Sequence, residues 1–312
     1  MQLFKTFQGL PQTARGAVIV IGNFDGVHRG HRTLMALAQE KARALRAPVG
    51  VLSFEPHPRA LFRPDDPAFR LTPEAVKLHQ LARLDVDIFY NLTFDWDFAS
   101  LSPQQFIDDV LKTGLAPAHI IVGQDFHFGQ LRKGNTQTLK DSGLPVTVVE
   151  KIVDEDGDDV SSSAIRQALR IGDIDHANER LGWEWYMQGM VVKGDQRGRT
   201  IGYPTANVPL GDTLHPSYGV YASYVQIVDD GEDSPWLPAA TNIGIRPMFE
   251  LQVGQIESYI FDFDRDIYGK TLRVKPVKRL RGEAKFESLD ALIRQIEQDC
   301  VESRKILGGH KD

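Results

Sequence analysis

The chain has 312 residues, 36 of them Lys or Arg and 42 Asp or Glu, for a net charge of −6. With 42% hydrophobic and 25% charged residues it reads as a globular protein of about two domains. The acidic balance excludes a general nucleic-acid or membrane-surface binder, and the single cysteine, Cys300, excludes an internal disulfide and a cysteine-based zinc site.

No apolar run is long enough to span a bilayer, and the opening MQLFKTFQGL lacks the apolar segment of a signal peptide. A cytoplasmic location is therefore expected, with no membrane and no nucleic-acid partner. A monomer or weak homo-oligomer is expected.

The first predicted strand is AVIVI from Ala17. It runs into a glycine-punctuated turn, IGNFDGVHRGH at 21–31, and a helical pattern follows from Arg32. Further short β-branched runs begin at Val49 (VGVLSF), Asp87 (DIFYNL), His119 (HIIVG) and Val146 (VTVVE). Thr72-Pro73 and Ser102-Pro103 each place a capping residue before a proline at a helix start, and Gln105 completes a capping box with Ser102. Gly114 is expected to end that helix. Strands alternating with helices predict a parallel sheet with right-handed crossovers, a Rossmann-like α/β domain over 1–184.

The acidic run DEDGDD at 154–159 has its glycine at the fourth position, not the sixth that a calcium loop needs, and is expected to form a hairpin turn. After about residue 184 the strands lengthen and alternate: YGVYASYVQIV from Tyr218, QIESYIFDF from Gln255 and TLRVKPVKRL from Thr271. This rhythm predicts an antiparallel β-barrel over 185–312. A closing α-helix is expected from Ser288 to about Leu307, with Leu289, Leu292, Ile293, Ile296 and Cys300 at helical spacing, so Cys300 is read as core. Lys275, Lys278, Arg279 and Arg281 are read as a solvated strand face.

Residues 21–31 match neither a phosphate-binding GK[ST] loop nor the GxGxxG fingerprint. A strand, a glycine turn and a helix start still make an anion site, because free N–H groups and the helix dipole point at the ligand. Gly22, Phe24, Asp25 and Gly26 form the turn, and Gly26 and Gly30 let backbone approach a ligand. His28 and His31 would stabilise charge on phosphoryl oxygens without a covalent intermediate. In the second half, Gly194 and Gly198 interleave with Lys193 and Arg199, which suits a phosphate-covering loop. Thr205 and Asn207 lie two apart, so their oxygens share a face if the backbone is extended, and hard oxygens with substrate phosphates suit magnesium.

The histidine pattern resembles the HxGH signature of nucleotidyltransferases. With SFEPHP (His57), VGQDFHFG (Asp125, Phe128) and VSSSAIR (Ser162, Ser163, Arg166), in the same order, it resembles the adenylyltransferase module of the bacterial bifunctional riboflavin kinase/FAD synthetase family. GMVVKGDQRGRTIGYPTANV, GVYA, NIGIRP (Asn242), DIYG and RGEAKF (Arg281, Glu283) resemble the flavokinase module of the same family. The resemblance implies a bifunctional enzyme that phosphorylates riboflavin to FMN with ATP, then adenylylates FMN to FAD with a second ATP, releasing pyrophosphate. It implies magnesium for both steps and Glu257 as the base that accepts the ribityl hydroxyl proton.

Alternation puts Glu257, Tyr259 and Phe261 on one strand face, expected to look into the barrel. Three positions depart from the family pattern. Ser163 replaces a usual threonine and keeps its hydroxyl. Met248 and Tyr259 replace a threonine and a histidine, and bear on kinase rate and flavin affinity. A nucleotidyltransferase for another small phosphate, or a flavin-binding regulator without chemistry, are the rival readings; intact Asp25, His28, His31, Thr205, Asn207 and Glu257 argue against the second.

Overall fold

In the computed structural model, which describes all residues except 152, 154–159, 195–196, 249–250 and 310–312, the chain packs as two units. The first comprises Met1–Asp66 and Glu74–Ser161, the second Pro67–Pro73 and Ser162–Asp312. The acidic run expected to form a hairpin at 154–159 lies outside the described residues.

The first unit is a parallel sheet. Its main strands are β1 (Gln2–Phe4), β2 (Val18–Ile21), β3 (Val49–Glu55), β4 (Ile88–Thr93), β5 (His119–Gly123) and, after the small hairpin β6 (His127–Phe128) and β7 (Gly134–Asn135), β8 (Val146–Val149). The order is β1-β4-β3-β2-β5-β8, every pair parallel. The central β-branched runs β2 and β3 are buried on both faces, as such a sheet requires, while the edge run β8 is half-buried. Val18 and Val20 pack under Met35, Ala38 and Ala42 of α1 (Arg29–Leu45), whereas Ile19 and Ile21 pack against Phe106 and Val110 on the other face. The edge strand β1 is too short to carry a sequence signal.

The capping box at Ser102 is present, with Gln105 N donating to Ser102 Oγ at 3.2 Å and Ser102 N donating to Gln105 Oε1 at 2.9 Å. The helix then widens into a π-helix over Phe106–Leu115, and the left-handed residue that ends it is Ala116 (φ 46°), not Gly114. A side chain at 114 would meet the Phe7 carbonyl at 2.9 Å, so this glycine serves packing.

From β2 the chain builds β3 and β4 on one side, then crosses to β5 on the other. The carboxyl ends of β2 and β5 thus flank the topological switch point, where open α/β sheets bind ligands.

The second unit is an antiparallel sheet of β9 (Met187–Met190), β10 (Ala206–Pro209), β11 (Gly219–Ile227), β12 (Leu237–Met248), β13 (Leu251–Ile260) and β14 (Thr271–Arg281). Its order is β10-β13-β12-β11-β14-β9. One antiparallel bridge joins the two ends: Val192 N donates to the Asn207 carbonyl at 2.8 Å and closes the barrel.

Inside the barrel lie Val225, Ile243, Ile256, Ile260 and Val274. The helices α4 (Ser162–Ile171) and α5 (Ile174–Leu181), from the segment before the change of rhythm, bury Ile165, Leu169, Ala177 and Leu181 in this same core. Trp185 is fully buried there, its Nε1 donating to the Leu71 carbonyl at 2.9 Å. The last helix, α6, is Leu289–Gly309. Its Leu307 packs with Ala222, Ala240 and Phe261, and Cys300 is half-buried beside them.

The basic residues of β14 are not one solvated face. Lys278 is exposed, but Lys275 is buried between Trp236 (4.6 Å) and Tyr224 (5.1 Å) and paired with Glu184 at 2.6 Å. Arg279 donates to the Tyr218 carbonyl at 2.7 Å.

Candidate active sites

Beyond β2 the chain turns sharply. Phe24 (φ 51°), Gly26 (φ 93°) and Val27 (φ 41°) are all left-handed, a strained conformation for the two with side chains. The turn buries Phe24 and Asp25 and brings His28 to the N-cap of α1 in extended conformation. The His28 and His31 rings stack at 3.8 Å, and Phe24 stacks on His31 at 4.6 Å. Gly30 makes room for this: a Cβ there would stand 3.0 Å from His28 Nδ1 and 3.4 Å from the Val160 carbonyl. The start of VSSSAIR therefore lies at the same helix mouth. Burial, the His28 ring and Lys77 hold the His31 pKa well below the ordinary imidazole range, so His31 is neutral near pH 7.

Ser162 is the first residue of α4, with Ser163 next. Arg166 donates its Nε to the Phe69 carbonyl at 2.8 Å. Packing places these three residues in the second unit.

A cavity of about 770 Å³ opens beside the turn. Gly22, His57, Asp125 and Phe128 line it. His57 caps the short α2 (Pro58–Phe62), its Nδ1 accepting from Arg59 N at 3.1 Å. Asp125 pairs with Lys151 at 3.3 Å. The rest of the wall is an aromatic chain that sequence reasoning missed. Phe54 meets Phe94 at 5.6 Å, Phe94 meets Phe62 at 5.9 Å and Phe62 meets Trp96 at 5.6 Å. Phe106 and Phe128 close the far side at 5.1 Å. Phe62 and Trp96 stay more than half exposed and leave an apolar aromatic face open on the cavity wall. The signal available was the alternation Phe94, Trp96, Phe98 in an otherwise polar stretch.

In the second unit, strand register gathers the expected residues in a row. Asn207 of β10 stands opposite Glu257 of β13, which stands opposite Asn242 of β12. The row continues through Val220 to Arg281. Directly opposed residues share a face. That face is not the barrel interior expected for Glu257. Ile256 and Ile260 point inward, so Glu257 and Tyr259 look outward, where Tyr259 joins the cluster under α6, and Phe261 lies beyond the strand end.

Asn207 Oδ1 accepts from Gln255 Nε2 at 2.7 Å, and its Nδ2 donates to the Thr205 carbonyl at 3.1 Å. Gly194 lies against Asn207; a Cβ there would come within 2.7 Å of Oδ1. Thr205 and Arg199 line a second cavity of about 290 Å³, with Asp264, Asp266 and Tyr268. Lys193 reaches over Tyr268, 6.0 Å from the ring centre, and Gly198 lies in the short helix Arg197–Thr200. Glu283 extends its carboxylate over Gly244, two residues from Asn242. Arg281 is engaged elsewhere, with Nη2 and Nε on the Asp299 carboxylate at 2.8 and 3.0 Å. The Met248 side chain lies outside those described.

No group of three or more His, Cys, Asp or Glu among the described residues could hold a metal ion. The hydroxyl of Thr205 and the amide oxygen of Asn207, with one lone pair left beside Gln255, still fit magnesium, which takes few protein oxygens and completes its shell with water and phosphate.

Comparison with known proteins covers both units. A family model for FAD synthetase matches residues 10–164, and one for riboflavin kinase matches 181–307. A bifunctional riboflavin kinase/FMN adenylyltransferase of Escherichia coli K12 is 41% identical over 99% of this chain and 98% of its own length. That of Bacillus subtilis is 38% identical over 92% and 91%. A solved structure from Streptococcus pneumoniae, described as a macrolide-efflux protein, is 34% identical, with TM-score 0.83 over 97% of this chain and 98% of that one. No helix among the described residues is long and apolar enough to cross a membrane.

Proposed function

We propose a division of labour from one premise: this chain belongs to the bifunctional riboflavin kinase/FMN adenylyltransferase family. Its activities are those of the family. It phosphorylates riboflavin with ATP to FMN, and adenylylates FMN with ATP to FAD.

Adenylyl transfer falls to the first unit. The aromatic cavity takes the flat flavin ring, and the mouth of α1 takes phosphate on its free N–H groups. An FMN phosphate oxygen attacks the α-phosphorus of ATP, and pyrophosphate leaves. His28 and neutral His31 donate to the oxygens on which charge builds. Asp125 and His57 stand on the cavity wall to orient the flavin's polar edge.

Phosphoryl transfer falls to the row on the outer face of the barrel. Glu257 accepts the ribityl hydroxyl proton, and Asn242 and Glu283 orient the flavin. Lys193, Arg199 and the glycines of that loop cover the ATP phosphates. Thr205 and Asn207 are the residues that would hold magnesium, which supplies charge neutralisation on the phosphates. We place both reactions in the cytoplasm, where ATP is at hand.

The observation that carries this reading is the register Asn207–Glu257–Asn242, which sets a base between two amides on three adjacent strands. Incubation with riboflavin, ATP and magnesium, followed by chromatography of the flavins, tests it at the level of the two sites. Wild type yields FAD. Asn207→Ala should yield no FMN from riboflavin yet still convert supplied FMN to FAD. Normal FMN formation in that variant would remove the row from the kinase.

A further inference from the structure

A buried polar cluster adjoins the α1 mouth, and the mechanism above leaves it unused. Lys77, on α3 (Glu74–Ala82), is fully buried, rare for a lysine. Its Nζ donates to Ser53 Oγ at 3.2 Å, and Ser53 Oγ donates to the Asn23 carbonyl at 3.1 Å. The single hydroxyl proton is engaged by Asn23, so the two bonds have one consistent direction. They run from α3, through the end of β3, into the turn that presents His28 and His31.

Ser53 stands opposite Asn91 across β3 and β4. Asn91 is also fully buried. Its Nδ2 donates to Glu74 Oε1 at 2.7 Å, while its Oδ1 has no hydrogen-bond partner. A purely structural polar network would close on itself; a buried acceptor left open marks a cluster kept for another reason.

We propose that Lys77 is a positioning residue for adenylyl transfer, holding the Asn23 turn through Ser53 and setting a fixed positive charge against the His28–His31 pair. The inference rests on that pair being the adenylyl site. Phosphates arriving at the helix mouth meet the Lys77 ammonium in the wall behind it, while His31 remains a neutral donor rather than a competing cation. The direction of the His31 pKa fits this arrangement, since burial lowers it first, His28 second and Lys77 third. The groups set against His31 are His28 from its own loop, Lys77 from α3 and the uncharged Phe24 ring, with Asp25 buried in the same turn.

Lys77→Met keeps the stem and removes both charge and donor. The expected result in the full chain is an about 10²-fold fall in kcat for FAD formation from supplied FMN, the scale for a misplaced catalytic group. KM for FMN should change little, and FMN formation from riboflavin should not change. The His31 titration, followed by NMR, should move upward. Ser53→Ala breaks the chain but keeps the charge, so it should lower kcat less and leave the His31 titration in place. If Lys77→Met fails to fold by circular dichroism, Lys77→Gln carries the same comparison. Unchanged FAD formation in a folded Lys77 variant, or a fall with His31 titrating as in wild type, overturns the proposal. His28→Ala separates the two readings. Full FAD formation in that variant removes the site itself, whereas its loss alongside a normal Lys77→Met removes only the role of Lys77.

Discussion

Glu257 stands directly opposite Asn207 across the β10 and β13 pair, and the same glutamate faces Asn242 on its other side. A carboxylate between two amides is held in line with both neighbouring strands. Strand register, fixed by the buried Ile243 and Ile256 on the opposite face, keeps the three in line.

Glu257→Gln keeps shape and register but cannot take the proton. FMN formation in a single turnover should fall by about 10²–10⁴, the range for general-base loss. Riboflavin binding, read by flavin fluorescence, should persist, and supplied FMN should still become FAD. Normal turnover would leave positioning as the source of rate.

His28→Ala or His31→Ala should slow FAD formation from FMN by about 10²–10³, as for one preorganised donor, and leave FMN formation intact. Parallel loss of both activities would point to folding damage instead.

The depressed His31 pKa makes a stability prediction with a definite sign. Above the ordinary value of 6.5 the ring is neutral folded and unfolded, and it adds no pH dependence. Below 6.5 the unfolded chain binds the proton first, so stability falls as pH drops toward the lower folded value. Urea unfolding of the wild type should therefore weaken between pH 7.5 and 5 more than that of His31→Gln. Equal losses would show that the ring titrates normally.

The aromatic wall predicts an optical readout. FMN bound in the cavity lies against Trp96, so it should quench tryptophan emission, and Trp96→Phe should lose that part of the quench. Phe62→Ala or Trp96→Ala should weaken FMN binding up to about tenfold, since one aromatic contact contributes about 0.5–1.5 kcal/mol. An unaltered quench in Trp96→Phe would move the flavin elsewhere.

Packing predicts where the second unit can be cut. A fragment of residues 184–312 loses Ile165, Leu169, Ile174 and Leu181 from its core. Each fully buried aliphatic side chain contributes about 1.5–3 kcal/mol, and a whole domain is stable by only about 5–15 kcal/mol. The longer fragment of residues 162–312, which loses only Leu71 of this core with the Pro67–Pro73 segment, should be soluble and make FMN, while the shorter one should be unfolded or aggregated by circular dichroism and light scattering. Equal folding of both would show α4 and α5 to be dispensable.

The sequence made the parallel sheet legible because its central β-branched runs are covered on both faces, and burial on both sides leaves a continuous apolar signal. β12 left no such mark. It reads LPAATNIGIRPM, with two prolines and a glycine, yet it carries Asn242. Its strand character comes from neighbours β11 and β13, not from its own residues. Alternation along β13 correctly put Glu257 and Tyr259 on one face but could not say which side of a closed barrel that face was; α6, packed beside Tyr259, decides it. The aromatic cavity was invisible because its wall is gathered from segments around Phe54, Phe62, Trp96 and Phe128, far apart in the chain.

Among the described residues one bridge closes the barrel, and the acceptor in that bridge is the carbonyl of Asn207. The seam of the cylinder and the residue we assign to the nucleotide site are thus the same residue. On that assignment, whatever grips the Asn207 side chain also steadies the strand end that completes the ring, and substrate occupancy and barrel closure become linked equilibria. The Val192 amide becomes a natural gauge of that linkage. Its hydrogen should exchange readily with solvent in the empty enzyme and slowly once ATP and magnesium are bound, while the amides of β11, deep in the sheet, stay protected in both states.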